Sequence, residues 1–186
     1  MKVASLLLIV LLAGCASQPI EPKFYLMRSQ QDIVSRQLNP SEDFSIGTVV
    51  IASYIDQAGL LIETSNSEVR AARYHLWAEP VYESVHNELT LSIGRAKGED
   101  ILPATLSNAK TVIDIRVDQL HGTSDGKAKL VAYWWLRQGE DVISVYQFAE
   151  EKALAADGYS ALVAAEEALL QQLGSAIAAT LVVPGS

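Results

Sequence analysis

Val112-Ile113-Asp114-Ile115-Arg116-Val117-Asp118-Gln119-Leu120, then Ser124-Asp125-Gly126, then Ala128-Lys129-Leu130-Val131-Ala132-Tyr133-Trp134-Trp135-Leu136-Arg137 is the stretch on which the fold turns. Ile113, Ile115 and Val117 alternate with Asp114, Arg116 and Asp118. That period of two puts one side of a strand in a core and the other in water. Asp-Gly between two such runs is a hairpin signal, because Gly takes the positive φ that a tight turn needs. Gln138 to Asp141 predicts a second turn, and Val142 to Phe148 a third strand. The expectation is an antiparallel meander.

Downstream of the meander, Asp157-Gly158 precedes a helix predicted over 160–181, striped by Leu162, Leu169, Leu173, Ile177 and Leu181. Upstream, Glu79-Pro80 opens a helix over 79–96, since Pro is pre-set for the first helical position. Trp77, Val81, Val85, Leu89 and Ile93 recur along it every four residues. Ile101 to Asn108 reads as loop. Lys23 to Met27, Ile46 to Ile55 and Leu60 to Thr64 read as strands, Val69 to Tyr74 as a further extended piece, and Ser29 to Asp43 as polar loop or a weak helix. Strands, helix, strands, helix predict an α+β fold of two layers. One mixed, mostly antiparallel sheet carries two long amphipathic helices packed on one face.

The chain starts Met1-Lys2 and runs apolar from Val3 to Ala13, the layout of a secretory signal peptide. The run falls short of the roughly 20 residues a membrane-spanning helix needs. It ends Leu12-Ala13-Gly14-Cys15. Small residues let a segment lie extended in a peptidase groove, and the cysteine that follows can carry a lipid; the four residues match a bacterial lipobox. The domain reading is therefore 1–14 signal peptide, 15–22 lipidated tether and 23–186 a single periplasmic α/β domain. Residues 16–22, with Pro19 and Pro22, can reach at most about 25 Å when extended. Ala16 stands where enterobacteria-like lipoproteins kept at the inner membrane carry Asp, so the expected address is the periplasmic face of the outer membrane.

Loss of residues 1–14 from 186 leaves 172, the size of one ordinary domain. Lys2 departs too, so 14 basic residues become 13 against 22 acidic ones, a formal charge of −9. Such a chain lacks the basic face that nucleic acid demands. It also has little electrostatic pull toward anionic lipids, which leaves membrane affinity to acyl chains. Cys15 is the only cysteine, so once lipidated it leaves no disulfide, thiolate metal site or thiol nucleophile. His75, His86 and His121 fit no zinc spacing. No metal or other cofactor is expected.

Ile62-Glu63-Thr64-Ser65-Asn66-Ser67-Glu68, followed by Tyr74-His75-Leu76-Trp77-Ala78-Glu79-Pro80-Val81, resembles the signature of ABC-type transport auxiliary lipoproteins of the paraquat-inducible protein C type. Phe24-Tyr25-Leu26-Met27, the strand Ala128 to Leu136 and the alanine-rich helix from Leu162 agree with it, so the likeness covers nearly the whole mature chain. His75, Trp77, Glu79 and Pro80 carry its most specific part. The chain departs from the family pattern at Leu60-Leu61-Ile62, apolar where basic residues are common. The resemblance implies a lipoprotein that is not an enzyme. It implies a partner, the periplasmic mammalian-cell-entry-type subunit of an ABC transporter that moves lipids between membranes. It also implies a role, docking that subunit at the outer membrane. The alternative is an outer-membrane lipoprotein that itself carries an apolar ligand or assists envelope assembly.

Three groups of residues admit a functional and a bland reading. Glu79 and Glu83 share a helical face beside His75 and could do acid–base work. The bland reading is stronger, because carboxylates at a helix N-terminus are favoured by its dipole. Trp77 likewise reads as a core anchor before a binding hot spot. On the strand 127–137, Lys129, Tyr133, Trp135 and Arg137 lie opposite the apolar face and compose an interface-like surface, unless the 29–43 segment covers it.

Cys15→Ala should leave an unacylated soluble protein or an uncut precursor. Mass spectrometry of the mature N-terminus checks this, and an unmodified Cys15 after cleavage at another bond refutes it.

Overall fold

A computed structural model describes residues 20–27, 35–64 and 68–182; Cys15, the signal peptide and most of the tether lie outside them. In chain order the elements are β1 (Lys23–Tyr25), β2 (Pro40–Ile51), β3 (Gly59–Glu63), β4 (Val69–Trp77), α1 (Val81–Lys97), β5 (Asp100–Pro103), a 3-10 turn (Ala104–Leu106), β6 (Thr111–Thr123), β7 (Lys127–Gln138), β8 (Asp141–Ala153) and α2 (Tyr159–Thr180). The strands form one eight-stranded mixed sheet, and with the two helices they make the expected α+β architecture.

The meander is its spine. β6, β7 and β8 pair antiparallel, Ile115 opposite Trp134 and Trp134 opposite Tyr146. On β7, Ala128, Leu130, Ala132, Trp134 and Leu136 are buried while the residues between them are only half-buried. Gly126 takes φ 79° in the first turn, the left-handed conformation expected of it. β7 occupies one edge of β6 from Val112 to Gly122. β2 runs parallel along the other edge from Thr111 to Val117, and β3 takes over parallel at Gly122 and Thr123. β5 extends the sheet beside β2, β4 beside β3, and β1 beside β4.

Between Ile46 and Val49 the register of β2 slips against β6. Asp114 of β6 fills that bulge. Its Oδ1 accepts the Thr48 amide at 2.7 Å, and its Oδ2 accepts Arg137 Nε at 3.1 Å. Gly47 makes room: a Cβ there would lie 2.3 Å from Asp114 Oδ1 and 2.5 Å from Val112 Cγ1.

Both helices cover one face, α1 over β2 and β5, α2 over β6 to β8. Val81, Val85, Leu89 and Ile93 of α1 and Leu169, Leu173 and Ile177 of α2 are buried in the core, as their stripes predict. The seam between the helices is different in kind. Ser92 meets Gly174 so closely that a Cβ on Gly174 would sit 2.0 Å from Ser92 Oγ. Glu88 of α1 and Glu167 of α2 are buried and interact across the seam, and Ser84 of α1 and Glu166 of α2 are buried as well.

The sequence reading needs correction at several boundaries. Ile101 to Asn108 is not all loop: Asp100–Pro103 is a strand, and a 3-10 turn follows. Four residues with one buried side chain, Ile101, are too few to show alternation. β2 begins at Pro40, inside the supposed polar loop, and ends at Ile51, so 52–55 turns away toward β3. Pairing of Pro40 with Asp100 of β5, and of the strand from Phe44 onward with β6, overrides the poor strand propensity of Pro40-Ser41-Glu42-Asp43. β4 continues through Trp77, which therefore ends a strand and does not sit on the helix, although it is buried as expected.

Burial raises the Glu166 carboxyl to about 8. The folded state then holds a proton that the unfolded chain gives up near the ordinary glutamate range. Stability should fall as pH rises from about 4.5 to about 8, by at most about 1.4 kcal/mol per pH unit. Glu166→Gln should flatten this slope and raise the urea midpoint at pH 8; an unchanged slope refutes it.

Candidate functional site

Two surfaces hold the residues singled out from the sequence. The first is the junction of β1, β4 and α1, where His75, Trp77, Glu79 and Pro80 lie within six residues of chain. β1 pairs parallel with β4, Lys23 opposite His75 and Tyr25 opposite Trp77. Tyr25 Oη lies 2.8 Å from His75 Nδ1. The His75 ring in turn stacks on Tyr159 at the start of α2, with centroids 4.0 Å apart. Trp77 donates its amide to the Ala58 carbonyl at 2.7 Å, and Ala78 donates to the Tyr25 carbonyl at 2.8 Å. Glu79 Oε1 accepts the Ser84 hydroxyl at 2.6 Å, and the Pro80 carbonyl accepts the Glu83 and Ser84 amides of the first turn.

His75 and Trp77 thus tie β4 to its surroundings, while Glu79 and Pro80 close on the first turn of α1. Glu79 braces the first turn of α1 through the Ser84 hydroxyl, with no side chain capping a backbone amide there, and Glu83 is exposed. Among the described residues no three His, Cys, Asp or Glu side chains come together to hold a metal ion.

The second surface is the sheet face away from the helices. Lys129, Tyr133, Trp135 and Arg137 do alternate with the core residues of β7, but all four are half-buried. Arg137 is committed within the molecule: besides Asp114, it donates to the Gly139 carbonyl at 2.6 Å. Tyr133 Oη accepts Gln147 Nε2 at 3.2 Å. Trp135 lies between Asp114 and Val145, and Val145 is 66% exposed. Of the 29–43 segment, 29–34 fall outside the described residues. Arg36 and Asn39 bind Asp100 on β5, at 2.7 Å each, which places that part across the sheet from β7.

The sequence and the fold are similar to those of known proteins. A family model described as "ABC-type transport auxiliary lipoprotein component" matches residues 25–178. The chain belongs to this family. The intermembrane transport lipoprotein PqiC of Escherichia coli (strain K12) is 25% identical over 169 residues, 90% of each chain, and PqiC of Shigella flexneri matches equally. A crystal structure of an uncharacterized protein superposes with TM-score 0.72 at 20% identity, over 87% of this chain and 99% of that one. A Xanthomonas campestris protein does so with TM-score 0.65 at 15% identity, over 77% and 89%. These two likenesses show the fold. As a family member, the chain is an auxiliary lipoprotein of a transport system, and no described helix is long and apolar enough to cross a membrane.

Sequence reasoning missed Tyr159 and the groove beside it. Phe24, Leu26, Ala78, Val163, Ala164 and Glu167 line a groove of about 520 Å³ between β1 and α2. The available signal was Phe24 and Leu26, two apolar residues of one parity flanking Tyr25. His75→Ala should release β1 first: amide exchange at Ala78 should quicken about tenfold or more while β6 and β7 amides keep their protection. Uniform loss of protection would show instead that the clamp supports the whole fold.

Proposed function

We propose that the chain is a non-catalytic accessory lipoprotein of a mammalian-cell-entry-type intermembrane lipid transport system. Acylated at Cys15 and held on the periplasmic face of the outer membrane, it docks the periplasmic transport subunit there. The family membership supports the system. The observation that carries the docking role is the aromatic and aliphatic sheet face: Tyr133 and Trp135 lie half-open beside exposed Val145, on a face that neither helix covers. Aromatic residues are enriched at protein interfaces and charged groups are depleted at their centres. The middle of β8, Val142 to Ala149, carries no charge, while Asp141, Glu150 and Glu151 bound it.

Edge strands that avoid pairing usually carry charges or bulges in their middle. β8 keeps its charges at its ends, so its centre is fit for contact with another polypeptide. Lys129 and Arg137 rim the patch, with Arg137 acting mainly through Asp114.

Tyr133→Ser with Trp135→Ser should weaken binding to the purified periplasmic subunit by about 2 kcal/mol or more in calorimetry. Because both side chains are half-buried, some stability should go too. Val145→Glu separates the effects: it puts a charge on the exposed patch and should cut binding with the melting temperature nearly unchanged. Wild-type affinity in both variants rejects this face as the docking surface.

A further inference from the structure

Ile20, Phe24 and Leu26 are 65%, 63% and 44% exposed. Three large apolar side chains within seven residues do not gather on a soluble surface without reason. Phe24 and Leu26 share one parity, while Tyr25 between them turns inward to His75. Behind them lies the groove toward α2, floored by Val163 and Ala164. Glu167 borders it, and its carboxyl is held above the usual range by burial, with a further push from Glu88. An acid so placed gives up its charge more readily than an exposed one, which suits an apolar neighbour.

The position of this patch along the chain names its occupant. Nine peptide steps separate Cys15 from Phe24, a reach of at most about 30 Å. On the reading that Cys15 is acylated, the patch cannot leave the vicinity of the bilayer. Charge does not draw it there, since the chain without residues 1–14 carries a net −9, from 13 basic and 22 acidic residues. Apolar insertion remains, the means by which amphipathic surfaces settle at the headgroup boundary.

We propose that Ile20, Phe24, Leu26 and the groove behind them form a lipid-contacting surface that seats the folded domain against the membrane and fixes its orientation. The inference rests on the anchoring part of the proposed function. With β1 against lipid, the domain has one preferred attitude and does not swing freely on its tether.

The test uses the mature chain from residue 15, without the apolar leader and carrying Cys15→Ser, so that partition depends on neither acylation nor the signal segment. Its binding to phosphatidylethanolamine–phosphatidylglycerol vesicles is measured by sedimentation, with and without Phe24→Ser and Leu26→Ser. The partition coefficient should fall at least tenfold in the double variant and should change little with salt. Ile20→Ser, which lies outside every strand, should give a smaller fall without disturbing the fold, and a thermal melt confirms that each variant is folded. Equal partition of folded variants and parent overturns the proposal, as does partition that vanishes in high salt. Mass spectrometry of the wild-type N-terminus reports separately on the anchor. An unacylated Cys15 would sink the anchoring reading and leave the partition result to decide whether the surface binds lipid.

Discussion

A strand has two hydrogen-bonding edges, and β6 serves three partners. β7 takes the whole of one edge, so β2 and β3 must share the other in succession. From this follow the long length of β6, the turn of the chain over 52–58, and the widening of the sheet into two arms. One arm is β2 with β5, and the other is β3 with β4 and β1. The hand-over is closed by the Ala52 amide, which donates to Val117 at 2.9 Å, and by Ile55, which is buried beside it. The bulge at Gly47 belongs to the same geometry. A strand that must part from its neighbour twists most where the ladder slips, and Asp114 supplies the acceptor that the displaced Thr48 amide needs.

The helical layer solves a different problem. Two helices on one face of a sheet must fit side by side, and this pair does so by stripping side chains from the seam. Gly174 against Ser92 lets the backbones approach. The same seam buries carboxylates, an expensive choice compared with the Leu and Ile stripes facing the sheet. Glu166, on the same helix as Glu167, carries the cost of carboxylate burial as an elevated proton affinity. The core proper, with Ile113, Ile115, Leu130, Leu169, Leu173 and Ile177 fully enclosed, supplies the stability that tolerates it.

The readable parts of the sequence were those where one period persists long enough to be counted. The alternation in β6 and β7 and the stripes of both helices were legible because each buries one face against a single partner layer. β5 and the start of β2 were not, since their strand identity comes from pairing with each other and shows in no local pattern. The junction motif was legible as a signature, but its physical role was not. The hydroxyl–imidazole contact of Tyr25 and His75 joins residues 50 positions apart, and Tyr159 joins from further still. The β7 face was predicted in the right orientation, yet its half-burial and the capture of Arg137 by Asp114 depend on neighbours in β6 and β8.

The pairing of β1 has a mechanical meaning. β1 lies parallel to β4, and its contacts run from Lys23 opposite His75 to Tyr25 opposite Trp77. A pull arriving from residues upstream of Lys23 acts along the strand axis, so it loads these contacts together, in shear. Peeling them one at a time would need a force across the strand. Tyr25 and Tyr159, on either side of His75, pass that load to β4 and α2 at once. The short first strand thus serves as a strain relief, spreading tension from the N-terminal segment over both layers before it reaches the core.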